Sequence, residues 1–90
     1  MKEAAYYQLL SQTIGKRIRY RRKFEMDITL EELSALSTVD DKHIGEIERG
    51  NVDPRIKTLI KICEALNLDP VQFFQKSLSE TEQLYKNNSQ

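Results

Sequence analysis

Three stretches of the chain share one helix-start pattern, and this repetition constrains the fold more than any other feature. In "ITLEEL", "VDDKHI" and "LDPVQF", an apolar residue precedes a polar capping residue and a second apolar residue follows it by four positions. A polar cap accepts hydrogen bonds from free backbone N–H groups, and the apolar pair forms a hydrophobic staple. Helices are therefore predicted to begin at Thr29, Asp40 and Asp69, with Glu32 completing a capping box and Pro70 in a first helical position.

The spacing of apolar residues predicts two further helices. The first runs from Lys2 to about Phe24, and its apolar stripe, which Arg22 continues, consists of Leu10, Ile14 and Ile18. The second follows Pro54, and its stripe is expected to face the core; the stripe consists of Ile56, Leu59, Ile60, Cys63 and Leu66. Near the end of the chain, Ser79 followed by Glu82 suggests one more short helix.

The charges of the chain balance but are unevenly distributed. Fourteen Lys and Arg offset fourteen Asp and Glu, so the total gives no indication of a nucleic-acid partner. Six bases nevertheless lie within eight consecutive residues, namely Lys16, Arg17, Arg19, Arg21, Arg22 and Lys23. This run is either a solvated helix face or an edge that faces phosphates.

Several classes of protein are disfavoured by what the chain contains. Cys63 is the sole cysteine, so no internal disulfide can form, and its place on an apolar stripe predicts a buried side chain. No signal-peptide pattern or long apolar segment is present, so no membrane association and a cytoplasmic location are expected. The single histidine, His43, lies on a different predicted helix from Cys63. The chain is therefore not expected to be an enzyme, and no metal site or cofactor is expected.

Two of the predicted helices are separated by only a short turn. One runs from Thr29 to Ser37 and the next from Asp40 to Arg49. This is the spacing of a helix-turn-helix, although many small helical domains contain two short helices and a tight turn.

Three segments, "IGKRIRYRR", "TLEELSALSTVDDKHIGEIERG" and "PRIKTLIKICEALNLDPVQFF", resemble the Cro/repressor-type helix-turn-helix domain across residues 14–76. The combination of "IGEIERG", proline and "LIKICEALNL" is distinctive. The resemblance implies a fold of five helices, of which the third lies in the major groove of DNA. It also implies a transcriptional regulator that binds its operator as a dimer. The segment "HIGEIERG" is also similar to restriction–modification controller proteins, and the same resemblance extends to small phage or plasmid repressors.

The chain departs from that family at four places. The glycine usual at the end of the first helix is absent from "KFEMDI", which is one residue longer, and Thr38 replaces a common turn glycine. Leu30 stands where a phosphate-holding glutamine is frequent, and Asp41 stands where the recognition helix often opens with glutamine or serine.

The expected fold is all-α: a compact five-helix repressor-like helix-turn-helix domain with an N-terminal helical extension and a short C-terminal helical tail. The predicted boundaries are 1–13 for the extension, 14–78 for the DNA-binding domain and 79–90 for the tail.

A helical wheel orients the predicted recognition helix, about residues 41–49. Ile44 and Ile47 define its buried side, and Glu48 falls close to that side. A buried carboxylate requires a partner, and Arg22 is the predicted one, a pairing that the resemblance also implies. Near the outer face lie the candidate base-reading residues Asp41, Lys42, His43 and Glu46, of which the carboxylates can accept a hydrogen bond from cytosine N4.

The candidate phosphate-binding residues lie at helix ends and in the loop after the recognition helix. They are Thr29, Arg49, Asn51, Arg55 and Lys57. The predicted partner is double-stranded DNA, and no small-molecule ligand is expected. A protein-interaction module on the same fold, with DNA binding weakened or lost, remains the alternative because of the acids and the zero net charge.

A homodimer is predicted because one recognition helix contacts only a few base pairs. Its surface is expected on the fifth helix, the tail or the extension. The apolar candidates there are Val71, Phe74, Leu78, Leu84, Tyr85, Tyr6, Tyr7 and Leu10, some of which must instead close the core of the monomer.

Overall fold

A computed structural model describes residues 2–88, and all regular structure within them is helical. The five α-helices are α1 (Ala4–Tyr20), α2 (Leu30–Ser37), α3 (Asp41–Glu48), α4 (Ile56–Ala65) and α5 (Pro70–Asn88). A π-helical segment, Arg21–Glu25, continues α1. The predicted all-α architecture of five helices is therefore confirmed. Within residues 2–88, no helix has the length and apolar character to cross a membrane.

The predicted caps form at the starts of α2, α3 and α5. Thr29 Oγ1 accepts from the Glu32 N–H at 3.0 Å, and Glu32 Oε1 accepts from the Thr29 N–H at 2.9 Å, which completes the capping box. Asp40 and Asp69 accept hydrogen bonds of 3.3 and 3.4 Å from backbone N–H groups of their helices. These local contacts fix where the short helices begin, as the sequence pattern predicts.

The extension and the tail are the outer parts of the two longest helices. α1 and α5 run antiparallel: the Tyr6 hydroxyl donates to Glu82 at 3.2 Å, and Arg17 pairs with Glu80 at 2.5 Å. The tail is helical as predicted, but it is continuous with α5 and forms no separate helix. The helix runs without a break from Pro70 to Asn88, and at the predicted junction the Thr81 side chain is buried, with its hydroxyl donating to the Ser77 carbonyl at 2.7 Å.

The core lies where α1, α2, α3 and α4 meet, and Phe73 of α5 closes it. Its fully buried apolar side chains include Ile18, Leu33, Ile44, Ile47, Ile62 and Leu66. The expected core-facing stripe of α4 is partly wrong, because Ile56 and Ile60 are 77% and 40% exposed. Helical spacing fixes which residues share a side of α4, but it does not fix how wide a strip the neighbouring helices cover.

Cys63 is buried, as predicted. Burial, with smaller contributions from the carboxylates of Asp69 and Glu64, raises the pKa of its thiol to about 11. The thiol is therefore protonated at neutral pH and behaves as a small apolar side chain.

The junction between α1 and α2 absorbs the extra residue of "KFEMDI". The Met26 N–H donates to the Arg21 carbonyl at 3.0 Å, five residues back, so the last turn is wider than an α-helical turn. Asp27 then takes a positive φ of 55°, a conformation in which glycine is usual. A π turn and a left-handed aspartate thus replace the family's glycine at this helix end.

A buried ion pair joins the end of α1 to the end of α3. Arg22 donates to Glu48 through Nε at 2.7 Å and through Nη2 at 3.0 Å, and each residue is 8% exposed. Arg22 Nη1 donates to the Ile28 carbonyl at 2.8 Å. The hydrogen bonds with Glu48 raise the pKa of Arg22. One guanidinium therefore links α1, α3 and the residue that precedes the α2 cap.

Gly15 allows α1 and α3 to approach closely. It is buried, and a β-carbon at this position would lie 2.6 Å from the carbonyl oxygen of Glu48. Since that atom belongs to helix backbone, no side chain could be accommodated without moving α3 away from α1.

Replacing Thr38 with glycine is expected to stabilise the protein. Thr38 ends α2 with a φ of 61°, a left-handed conformation that is unfavourable for a β-branched residue. Thr38→Gly should raise the free energy of unfolding in urea by about 0.5–1 kcal/mol. The control Ala35→Gly, at an exposed position within α2, should lower it by about 1 kcal/mol. A Thr38→Gly protein less stable than the wild type would contradict this account of the turn.

Removing the carboxylate of Glu48 is expected to cost about 3–5 kcal/mol of unfolding free energy, because Arg22 would remain buried without its partner. Urea denaturation of Glu48→Ala measures this loss. The control Glu64→Ala removes an exposed carboxylate from α4 and should change stability by less than about 0.5 kcal/mol. Equal stabilities for the two variants would mean that the ion pair contributes nothing.

Candidate nucleic-acid interface

α3 packs with one side and presents the other to solvent. Ile44 and Ile47 are fully buried and Glu48 faces Arg22, which places the outer face of α3 on the surface. Of the candidate base-reading residues, Lys42 is exposed, and partial exposure is found for Asp41, His43 and Glu46. On the wheel, Lys42 and Glu46 share the centre of this face with Arg49, whereas Asp41 and His43 lie on its two flanks.

Glu46 is the most constrained side chain of this face. Its Oε1 accepts from Arg49 Nη2 at 2.7 Å, and its Oε2 accepts from Asn51 Nδ2 at 3.1 Å. These hydrogen bonds, from Arg49 first and Asn51 second, lower the pKa of the Glu46 carboxyl. The carboxylate is therefore ionised at neutral pH, and its charge is locally compensated by Arg49.

The candidate phosphate-binding residues are all exposed and lie around the ends of α2, α3 and α4. Thr29 and Arg55 are the N-cap residues of α2 and α4, and Arg49 is the C-cap of α3. The first turn of α4 contains no acidic residue; Arg55 precedes this turn and Lys57 lies within it. Free backbone N–H groups, the helix dipole and two cations thus favour an anion at this helix start.

The basic run of α1 does not form a single patch. Arg22 is in the buried ion pair, Arg17 binds Glu80 of α5, and Arg21 Nε donates to the carbonyl of Leu66 at 3.0 Å. Arg17 and Arg21 therefore pack against α5 and the end of α4, whereas Gly15 marks the side of α1 that contacts α3. Three members of the run are exposed; they are Lys16, Arg19 and Lys23.

Two contacts of this region were not predicted from the sequence: the pairing of Glu46 with Arg49 and the hydrogen bond from Asn51 to Glu46. The spacing of Glu46 and Arg49, three residues apart on a helix, is a signal from which their pairing could have been predicted. The bond from Asn51 to Glu46 has no such signal, because it depends on how the chain leaves α3.

Among the described residues, no group of His, Cys, Asp and Glu is arranged to hold a metal ion.

Solved structures with a similar fold include those of two bacterial regulators. The restriction–modification controller protein C.AhdI from Aeromonas hydrophila superposes with a TM-score of 0.65 at 25% identity, over 70% of this chain and 94% of that chain. The clp gene regulator ClgR from Corynebacterium glutamicum superposes with a TM-score of 0.75 at 21% identity, over 89% of this chain and 84% of that chain, and supports the fold alone. No curated protein sequence matches the chain.

The helix-turn-helix family profile matches residues 18–73, which is more than half of the chain and includes α2, the turn and α3. The chain therefore belongs to the Cro/repressor-type helix-turn-helix family of DNA-binding transcriptional regulators.

Proposed function

We propose that this protein binds an operator in double-stranded DNA as a homodimer and regulates transcription, with α3 in the major groove. One observation carries the proposal: the outer face of α3 is open to solvent because Glu48 is turned inward to Arg22. The major groove is wide enough to admit an α-helix. Because the apolar side of α3 is packed against the protein, its polar face is the side that can enter the groove. The base-reading face comprises Asp41, Lys42, His43 and Glu46.

The local arrangement of charges supports DNA binding despite the zero net charge. Glu48 is paired internally, Glu46 is compensated by Arg49, and Asp40 caps the N-terminus of α3. Among residues 2–88, three exposed cations around α3 form no ion pair; they are Lys42, Arg55 and Lys57. Within that range, Asp41 is the one acid of α3 that is bound by no neighbouring donor. The surface next to a duplex is therefore more positive than the composition indicates. Phosphate contacts by Thr29, Asn51, Arg55 and Lys57 would position α3.

An apolar groove supports the homodimer. It has a volume of about 590 Å³ and lies between the first half of α1, α4 and the start of α5. The exposed apolar side chains along it are Tyr7, Ile56, Ile60, Val71 and Phe74. Its one charged residue, Asp53, accepts a hydrogen bond from Ser11 at 2.7 Å.

A second copy of the chain fits this groove better than a charged partner does. Among the described residues that line the groove, none is a cation that could bind an acidic ligand, and the one carboxylate is already hydrogen-bonded. Ile56 and Val71 protrude beside the depression, so two copies related by a two-fold axis can each place apolar side chains in the other's groove. Such a dimer would present two α3 helices to two half-sites of one operator.

Selection from a random pool of double-stranded DNA tests the function. The expected result is enrichment of a palindrome whose half-site centres are separated by about one helical turn, or roughly 34 Å, or a multiple of it. Enrichment of no sequence, with weak binding that vanishes at moderate salt, would overturn the proposal and favour a protein-interaction module.

Arg55→Ala is expected to weaken binding to all DNA sequences alike, because a phosphate contact carries no sequence information. The slope of log affinity against log salt should become shallower by about 1. The matched control is Lys86→Ala, which removes the same charge from the far end of α5 and should leave both affinity and slope unchanged. A loss confined to particular base pairs would contradict the phosphate role of Arg55.

Ile56→Asp is expected to shift the protein from dimer to monomer in sedimentation at tens of micromolar. Ile56 is 77% exposed, so the substitution should barely affect the stability of the monomer, but a charge would have to be buried at the proposed interface. The control is Leu36→Asp, on α2, where the leucine is 60% exposed and outside the groove. Dimers that persist in Ile56→Asp would place the interface elsewhere.

A further inference from the structure

We propose that Arg49 is a specificity-determining residue that donates to a guanine, and that Glu46 and Asn51 are positioning residues that hold its guanidinium on the outer face of α3. This inference rests on the proposed function, since it assigns a base contact within the operator complex. It replaces the roles expected above, in which Arg49 and Asn51 contact phosphate and Glu46 contacts a base.

The guanidinium of Arg49 lies over the middle of α3 and away from its end. Although Arg49 is the C-cap residue, its Nη1 lies 3.3 Å and its Cζ 3.8 Å from the place that a β-carbon on Gly45 would occupy. Helical side chains lean toward the N-terminus, so a residue covers the turn that precedes it. The absence of a side chain at Gly45 leaves the space in which the guanidinium lies.

Glu46 and Asn51 hold this position from one side. The backbone N–H of Asn51 donates to the backbone carbonyl of Glu46 at 3.1 Å, which places Asn51 beside this residue, and Asn51 Nδ2 donates to the carboxylate oxygen Oε2 at 3.1 Å. The other oxygen accepts from Arg49 Nη2 at 2.7 Å. Each carboxylate oxygen therefore already has a donor before DNA arrives, and the side chain is suited to orienting Arg49.

Arg49 retains the donors that a guanine requires. A guanidinium has five N–H groups, and in the described part of the chain only one of those of Arg49 donates to a protein acceptor. The side chain is 59% exposed, so the remaining donors face solvent. Two parallel N–H groups match the O6 and N7 acceptors of guanine in the major groove.

A base contact fits this arrangement better than a phosphate contact. Phosphates flank the groove and are met by the ends of the recognition helix and by the following loop, where Arg55 and Lys57 lie. Arg49 is instead held above the centre of the helix face, which points to the floor of the groove. Because the charge of Arg49 is also compensated by Glu46, Arg49 would contribute directional hydrogen bonds to DNA more than net electrostatic attraction.

The test uses the full chain and the palindrome that it enriches, with every single-base variant of one half-site as a competitor. The protein variants are Arg49→Lys, which keeps the charge but loses the planar fork, and Glu46→Gln, which loses the anionic acceptor. The control is Arg55→Lys. Arg49→Lys should lower the preference for one G·C pair by roughly tenfold and leave the salt slope unchanged. Glu46→Gln should lower the preference at that same pair, by a smaller factor.

A third variant, Gly45→Ala, tests the position of the guanidinium directly. Its β-carbon would press on Arg49 Nη1, so the same G·C pair should lose preference although alanine favours the helix. Circular dichroism and thermal unfolding would be used to check that each variant is folded.

Three outcomes would overturn the inference while leaving the proposed function intact. They are an equal loss on every DNA variant for Arg49→Lys, a loss at different base pairs for Arg49→Lys and Glu46→Gln, or a wild-type palindrome without a required G·C pair. Enrichment of no palindrome by the wild type would overturn the proposed function and this inference together.

Discussion

The ion pair between Arg22 and Glu48 is the contact on which the orientation of α3 depends. It is bidentate and buried, and the remaining donor of Arg22 holds the chain just before α2. Turning α3 about its axis would bring another residue against Arg22 and carry the Glu48 carboxylate away from the guanidinium that it pairs with. A charged pair is a poor source of net stability, but the desolvation penalty of an unpaired charge makes alternative orientations unfavourable. The pair therefore selects which side of α3 faces outward.

How well the sequence predicts this molecule depends on the distance over which each contact acts. The helix starts at Thr29, Asp40 and Asp69 were predictable because capping is local and each cap is encoded within five residues. The exposure of Ile56 and Ile60 was not, because it depends on how α1 and α5 lie beside α4. The contacts of Asn51 were also not predictable, because a loop after a helix has no periodicity from which its path could be inferred.

The balance of charges in this chain shows why a net total says little about a binding surface. Three acids of the helix-turn-helix segment have separate structural tasks: Glu32 completes a capping box, Glu48 neutralises a buried guanidinium, and Glu46 binds Arg49 and Asn51. Each is satisfied by a nearby donor. The cations around the start of α4 have no such partner in the described part of the chain. Local pairing, more than composition, decides the potential that a polyanion meets.

The wide turn at Arg21–Glu25 has a consequence for the tolerated length of the polypeptide. A π turn contains one residue more than an α turn closed over the same height. Deleting Phe24 or Glu25, both of which point to solvent, would allow ordinary helical hydrogen bonds to close that turn and leave Arg22 and the α2 cap in place. The chain can therefore be shortened by one residue at this turn without any rotation of the helices on either side.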